Sequence, residues 1–152
     1  MLTRQKDADT GGGQMCIRVG RAPHWGGPWN FSVALVETGS EDPHLFFNPA
    51  RGGSFHAVFH HNNYASWPLA QGTHAFSKDG LDWQYSSETT YSGIIDEVGG
   101  GRTVWNRRER PHILTAPNGS LLALTTGVGN AVDGWTIGED YTWTHIQPIR
   151  VR

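Results

Sequence analysis

The chain has 152 residues, 37% hydrophobic and 17% charged, with a net charge of −2. That suffices for one globular domain with its own core. Near neutrality removes the electrostatic basis for recognising nucleic acid or an anionic membrane. No apolar run of about 18 residues offers a membrane-spanning helix, and a lone cysteine, Cys16, excludes an internal disulfide.

Residues 1–14 are polar and end near Gly11-Gly12-Gly13, a stretch expected to be disordered because it has little to bury. It also lacks the apolar core of a signal peptide. From 15 to 152 the pattern is short strands and turns. Met15, Ile17 and Val19 alternate, as do Phe31, Val33 and Leu35, the period-two mark of half-buried strands. Between them, Trp25-Gly26-Gly27-Pro28-Trp29 is a turn bracketed by aromatics. Further strands are expected at 44–47, 54–60, 73–77, 112–115, 120–126 and 143–149. Asp79-Gly80 suits a tight turn, because Gly tolerates positive φ. Residues 88–101, rich in Thr, Ser and Gly, form a long hairpin or loop of the kind that rims a site. No window carries a helical stripe, so the fold class is all-β.

One phrase occurs twice. Glu41-Asp42-Pro43-His44-Leu45 leads through a turn into Ser54-Phe55-His56-Ala57-Val58. Glu109-Arg110-Pro111-His112-Ile113 leads through Pro117-Asn118-Gly119 into Ser120-Leu121-Leu122-Ala123-Leu124. Such a recurrence predicts equivalent β units, as in propellers or solenoids. It puts acidic residues at matching places in two units, and paired carboxylates on a rigid scaffold are the equipment of glycosidic bond cleavage.

These segments, with His56-Ala57-Val58-Phe59-His60-His61, the run 72–83 and Arg107-Arg108-Glu109-Arg110-Pro111, resemble the later part of the five-bladed β-propeller glycosidases. The likeness is to glycoside hydrolase family 43 and the related arabinanase, invertase and levansucrase groups, over residues 15–149. The resemblance implies a partial five-bladed propeller, about two to three blades, with a carbohydrate as substrate. It implies that Glu109 is the general acid and Asp42 the supporting carboxylate, with Glu41 as alternative. At Glu109 the sequence reads Glu-Arg-Pro where family 43 more often has Glu-Gly-Pro. The base of the first blade has no counterpart, so the chain is expected to be a C-terminal portion that lacks N-terminal blades. Relatives act outside the cell.

Other residues divide between roles. Arg107 shares the strand face of Glu109, either as a substrate contact or as its structural ion-pair partner, whereas Arg108 and Arg110 are expected on the opposite face. His60 and His74 are candidates for sugar binding, since a neutral imidazole both donates and accepts. His56 and His60 share one face and His61 takes the other, which leaves too few ligands on one side for zinc. No cofactor is required; the resemblance allows a structural calcium ion. Trp67, beside Asn62, Asn63 and Tyr64, is either a stacking platform for a sugar or a plug between units, and Trp25, Trp29, Trp83 and Trp143 are expected to be structural. The rival to a glycosidase is a non-catalytic carbohydrate-binding or structural propeller module.

Overall fold

The computed structural model describes residues 1–6, 15–36, 39–61, 69–130 and 142–150. It is an all-β structure of antiparallel sheets, none of them closed among the described residues. Among the described residues no helix is long and apolar enough to cross a membrane.

The first sheet holds β1 (Leu2–Lys6), β2 (Met15–Arg21) and β3 (Asn30–Val36), in that order. The second holds β4 (Ser40–Asn48), β5 (Ser54–His61), β6 (Gly72–Ser77) and β7 (Trp83–Tyr85). A two-stranded hairpin follows, β8 (Ile94–Asp96) with β9 (Arg102–Val104). The last sheet is β10 (Arg107–Thr115), β11 (Leu121–Gly129) and β12 (Trp143–Pro148).

Alternation along β5 explains the layering. Ala57 and Phe59 point one way and join Ile17 and Ala75, with Leu2, Leu35 and Trp83 packed alongside. Val58 points the other way and joins Tyr91, Ile113 and Leu124, backed by Phe46, Leu121 and Ile149. The second sheet is therefore a middle layer with a core on each face. Burying a side chain such as Phe59 stabilises the fold by roughly 1.5–3 kcal/mol.

The repeated phrase is a repeated bulge. In β4 the register shifts by one residue between Glu41 and His44; in β10 it shifts in the same way between Glu109 and His112. Proline has no N–H for the ladder, and the residue before it takes positive φ in both copies, 52° at Asp42 and 54° at Arg110. Equivalent parts of the two units also touch. The His44 and His112 rings are 3.8 Å apart. A Cβ on Gly119, whose φ is 82°, would lie 2.4 Å from the Pro49 ring, so the two matching turns abut. β4 and β10 thus run side by side in the same direction, each the first strand of its sheet.

The expected strands are present, while two expectations need correction. Residues 2–6, expected in a disordered segment, form β1, because Leu2 pairs with Val19 and packs against the core beside Ile17. Residues 7–14 lie outside the described residues. Trp25, expected to be structural, is 91% exposed and packs into neither core.

Candidate active site

The bulges place a group of charged side chains where β4, β5 and β10 meet. Glu41 pairs with His60 across the β4–β5 ladder. His60 is 0% exposed, and its Nδ1 lies 3.7 Å from Glu41 Oε1. Burial lowers the His60 pKa, while Glu109, Glu41 and Asp42 pull it back upward. The Asp42 carboxyl is raised above the ordinary carboxylate value. Burial is the main cause and the charge of Glu41 the next; Arg110 opposes, Glu109 adds to the rise and His60 opposes. Asp42 and Glu109, from different sheets, are therefore coupled through their charges.

Glu109 is 7% exposed. Arg107 holds its Oε1 with Nε at 2.6 Å and with Nη2 as well. Arg110 Nη1 lies 3.5 Å from its Oε2. This corrects the expectation that Arg110 points to the far face. Strict alternation fails at a bulge, and the positive φ turns Arg110 back toward its neighbour. Arg108 does take the far face. It is 1% exposed and donates to Thr126 Oγ1 at 3.0 Å, the Ser92 carbonyl at 3.0 Å and Gln147 Oε1 at 2.8 Å. Its guanidinium sits 5.0 Å from the centroid of the Tyr91 ring. Tyr91 feels the charge of both carboxylates: burial raises its pKa, Arg108 opposes the rise, and Asp42 and Glu109 add to it.

Beside Glu109 a hollow of about 200 Å³ opens over β11 and β12, lined by Arg107, Glu109, Gly127, Gly129, Thr144 and the half-exposed Trp143. Gly127 pairs with Glu109 and Gly129 with Arg107, so the sheet face there is bare backbone. Trp143 leans on Trp105 with centroids 5.5 Å apart.

His60, Asp42, Glu109 and Arg107 are thus brought together. His74 is not. It sits farther along the β5–β6 face, hydrogen-bonded to His56 at 2.8 Å, and pairs in register with Val58 rather than with His60. Trp67 lies outside the described residues. Among the described residues no group of three or more His, Cys, Asp or Glu side chains is disposed to hold a metal ion. Local sequence does not mark Tyr91 or Arg108 as parts of this site. The only local signal was that Arg108 falls on the opposite face of a strand from Glu109. Residues 88–101, expected as a hairpin or loop, supply β8 and the turn into β9, and Tyr91 enters beside it. No family model, no curated protein and no solved structure matches the chain.

Proposed function

We propose that the chain supplies adjoining blades of a five-bladed β-propeller of the glycosidase type, and that its carboxylate cluster acts in hydrolysis of an O-glycosidic bond. The observation that carries this reading is the repeated bulge: two inner strands, side by side and in the same direction, each delivering acidic groups at one end. Coupled carboxylates of unequal environment are what acid–base cleavage of a glycoside requires.

The geometry favours a division of labour different from the one that the resemblance implies. Asp42, half-buried and facing two other carboxylates, has its proton affinity raised and acts as the acid toward the leaving oxygen. Glu109, gripped by Arg107 and Arg110, is held in one place and orients sugar hydroxyls in the adjacent hollow. Further blades would bring the base. A separation of about 6.5–9.5 Å between base and acid would give inversion, and about 5–5.5 Å retention.

The ion pairs of Glu109 favour a second reading, a saccharide-binding module without catalysis. Assay of the protein with its complete set of blades on a panel of oligosaccharides and aryl glycosides separates the two. Under the first reading, Asp42→Asn reduces kcat at least 100-fold with saccharide binding retained, and Glu109→Gln weakens binding. Wild-type turnover in Asp42→Asn removes Asp42 from the chemistry. Saccharide binding with no turnover in the wild-type protein favours the module.

A further inference from the structure

A second arrangement of reactive groups lies away from the carboxylates, at the other end of β5. Ser54 Oγ is 2.7 Å from His56 Nε2, and His56 Nδ1 is 2.8 Å from His74 Nε2. The two imidazole planes are inclined by only 12° with centroids 5.1 Å apart. With nitrogens in contact at that separation, the rings meet edge to edge in nearly one plane, which suits a straight N–H···N bond. Phe46 lies nearly parallel to His56 on one side, at 5.1 Å and 14°, and Phe76 approaches His74 at 5.9 Å and 20°. The imidazoles are held by aromatic neighbours rather than left to rotate.

His56 and His74 line a cleft of about 540 Å³ between the second and last sheets, and Ser54 lies on the same face of β5 as His56. That volume falls within the range of small-molecule sites. Its walls include His56, His74, Val58, Ile113, Leu124 and Ile149. Asn48 also lines it and is the ladder partner of Ser54. The Asn48 Oδ1 accepts the Ala50 N–H at 3.0 Å. That bond fixes the amide and leaves its NH2 as the donor for an oxygen bound in the cleft.

We infer that Ser54, His56 and His74, with Asn48, form a nucleophilic site for carboxylic esters with an apolar acyl group, independent of the carboxylate cluster. A nucleophile within hydrogen-bond reach of a base that a third group orients is the recurring pattern of covalent acyl transfer. Ser54 Oγ bonds to the ester carbonyl carbon while its proton passes to His56 Nε2, and the carbonyl electron pair moves onto the oxygen, where Asn48 NH2 donates to it. Collapse breaks the bond to the alcohol, which leaves with the proton from His56. A water molecule, deprotonated by His56, then attacks the acyl-Ser54 carbonyl and releases the carboxylic acid and free Ser54. His74 Nε2 accepts from His56 Nδ1–H throughout and is a positioning residue. Burial, then the charge of Lys78, keeps His56 below the ordinary imidazole value, and His74 is pushed down to about 4 by burial, then by His56. Both rings are therefore neutral at pH 7, as a base and its acceptor must be. Lys78, anchored on the Gly53 carbonyl at 3.1 Å, and Glu88 and Arg150 at the cleft are the charged groups that face this pair.

The test uses the full chain with a fluorophosphonate probe and with p-nitrophenyl butyrate. The expected result is one probe per chain on Ser54, located by peptide mass spectrometry, with hydrolysis abolished in Ser54→Ala. Asn48→Ala should lower kcat by roughly 100-fold or more, as loss of an oxyanion donor does. His74→Phe should lower kcat and shift the pH profile, with partial recovery in His74→Gln, whose amide oxygen accepts from His56. Thermal melts identify any variant that fails to fold, and probe labelling of the wild-type chain is read without substitution. No labelling of Ser54, or hydrolysis undiminished in folded Ser54→Ala, overturns the inference.

Discussion

Of the described glycines, Gly72 leaves the least room for a Cβ, and it offers a sharp test of how Tyr91 is packed. A Cβ at this position would meet Tyr91 Cε1 at 2.0 Å, against an ordinary contact of 3.4–4 Å. The ring cannot simply step aside. The Tyr91 carbonyl accepts from Gln71 N–H at 3.2 Å and Gly72 N–H at 3.0 Å, and Thr90 N–H donates to the Gly72 carbonyl at 2.9 Å. On its other sides the ring is packed by Val58, Ile113 and Leu124, with Arg108 above it. Gly72→Ala therefore overpacks a closed site, at a cost of about 1–3 kcal/mol. If the ring is expelled instead, it forfeits burial worth roughly 1.5–3 kcal/mol. Either way the loss is about 1–3 kcal/mol, which corresponds to roughly 2–12 °C in Tm for a chain of this size. Urea and thermal melts followed by circular dichroism, repeated in a Tyr91→Ala background, measure it. With the ring removed, the same substitution should become neutral or stabilise by about 0.5–1 kcal/mol, the usual gain of Ala over Gly in a strand. An equal cost in both backgrounds would refute the reasoning, since the penalty would then owe nothing to Tyr91.

The titrating groups predict opposite pH dependences. Asp42 is raised above its ordinary value of 3.8, so between that value and the raised one the folded chain binds more protons than the unfolded chain, and stability falls as pH rises. Asp42→Asn, which tolerates positive φ, should stabilise the fold at neutral pH, with the gain vanishing below pH 3.8; a destabilised variant at pH 7 would contradict this. His44 and His74 are each pushed down from 6.5 to about 4. The unfolded chain binds more protons in that window, so stability should drop as pH falls from 6.5 toward 4, and His44→Phe should flatten the curve in urea melts across it. The edge strand β12 exposes Ile146 at 59%, and the isolated chain should self-associate through such unpaired edges. Sedimentation velocity should show oligomers that Ile146→Lys shifts toward monomer; a wild-type chain already monomeric would sink this expectation.

The strands were legible because their causes are local. Alternation from Met15 to Val19 and from residues 54 to 60, and the turn at Asp79-Gly80, are short-range patterns, and each is found where the pattern puts it. The Asp79 turn is closed by its own carboxylate, which accepts from Leu81 and Asp82 N–H groups. The duplicated phrase was equally legible, because it encodes the same bulge twice. The strand β1 was not. Apart from Leu2 its residues are polar, and only pairing with Met15–Val19 makes them a strand.

Period two assigns a side chain to a face, yet it does not say what covers that face. Thus the sequence alone determined that Glu109 and Arg107 share a side, that Arg108 takes the other, and that His60 points with His56. Tertiary structure decided the rest. It decided that Arg110 returns to Glu109 across a bulge where alternation fails, and that Asp42 feels the charge of Glu109 from a neighbouring sheet. It also gave His74 the partner His56 at one end of the face and left His60 among the carboxylates at the other. Each of these depends on contacts between residues far apart in the chain, where local pattern carries no information and packing of one sheet on the next selects the neighbour.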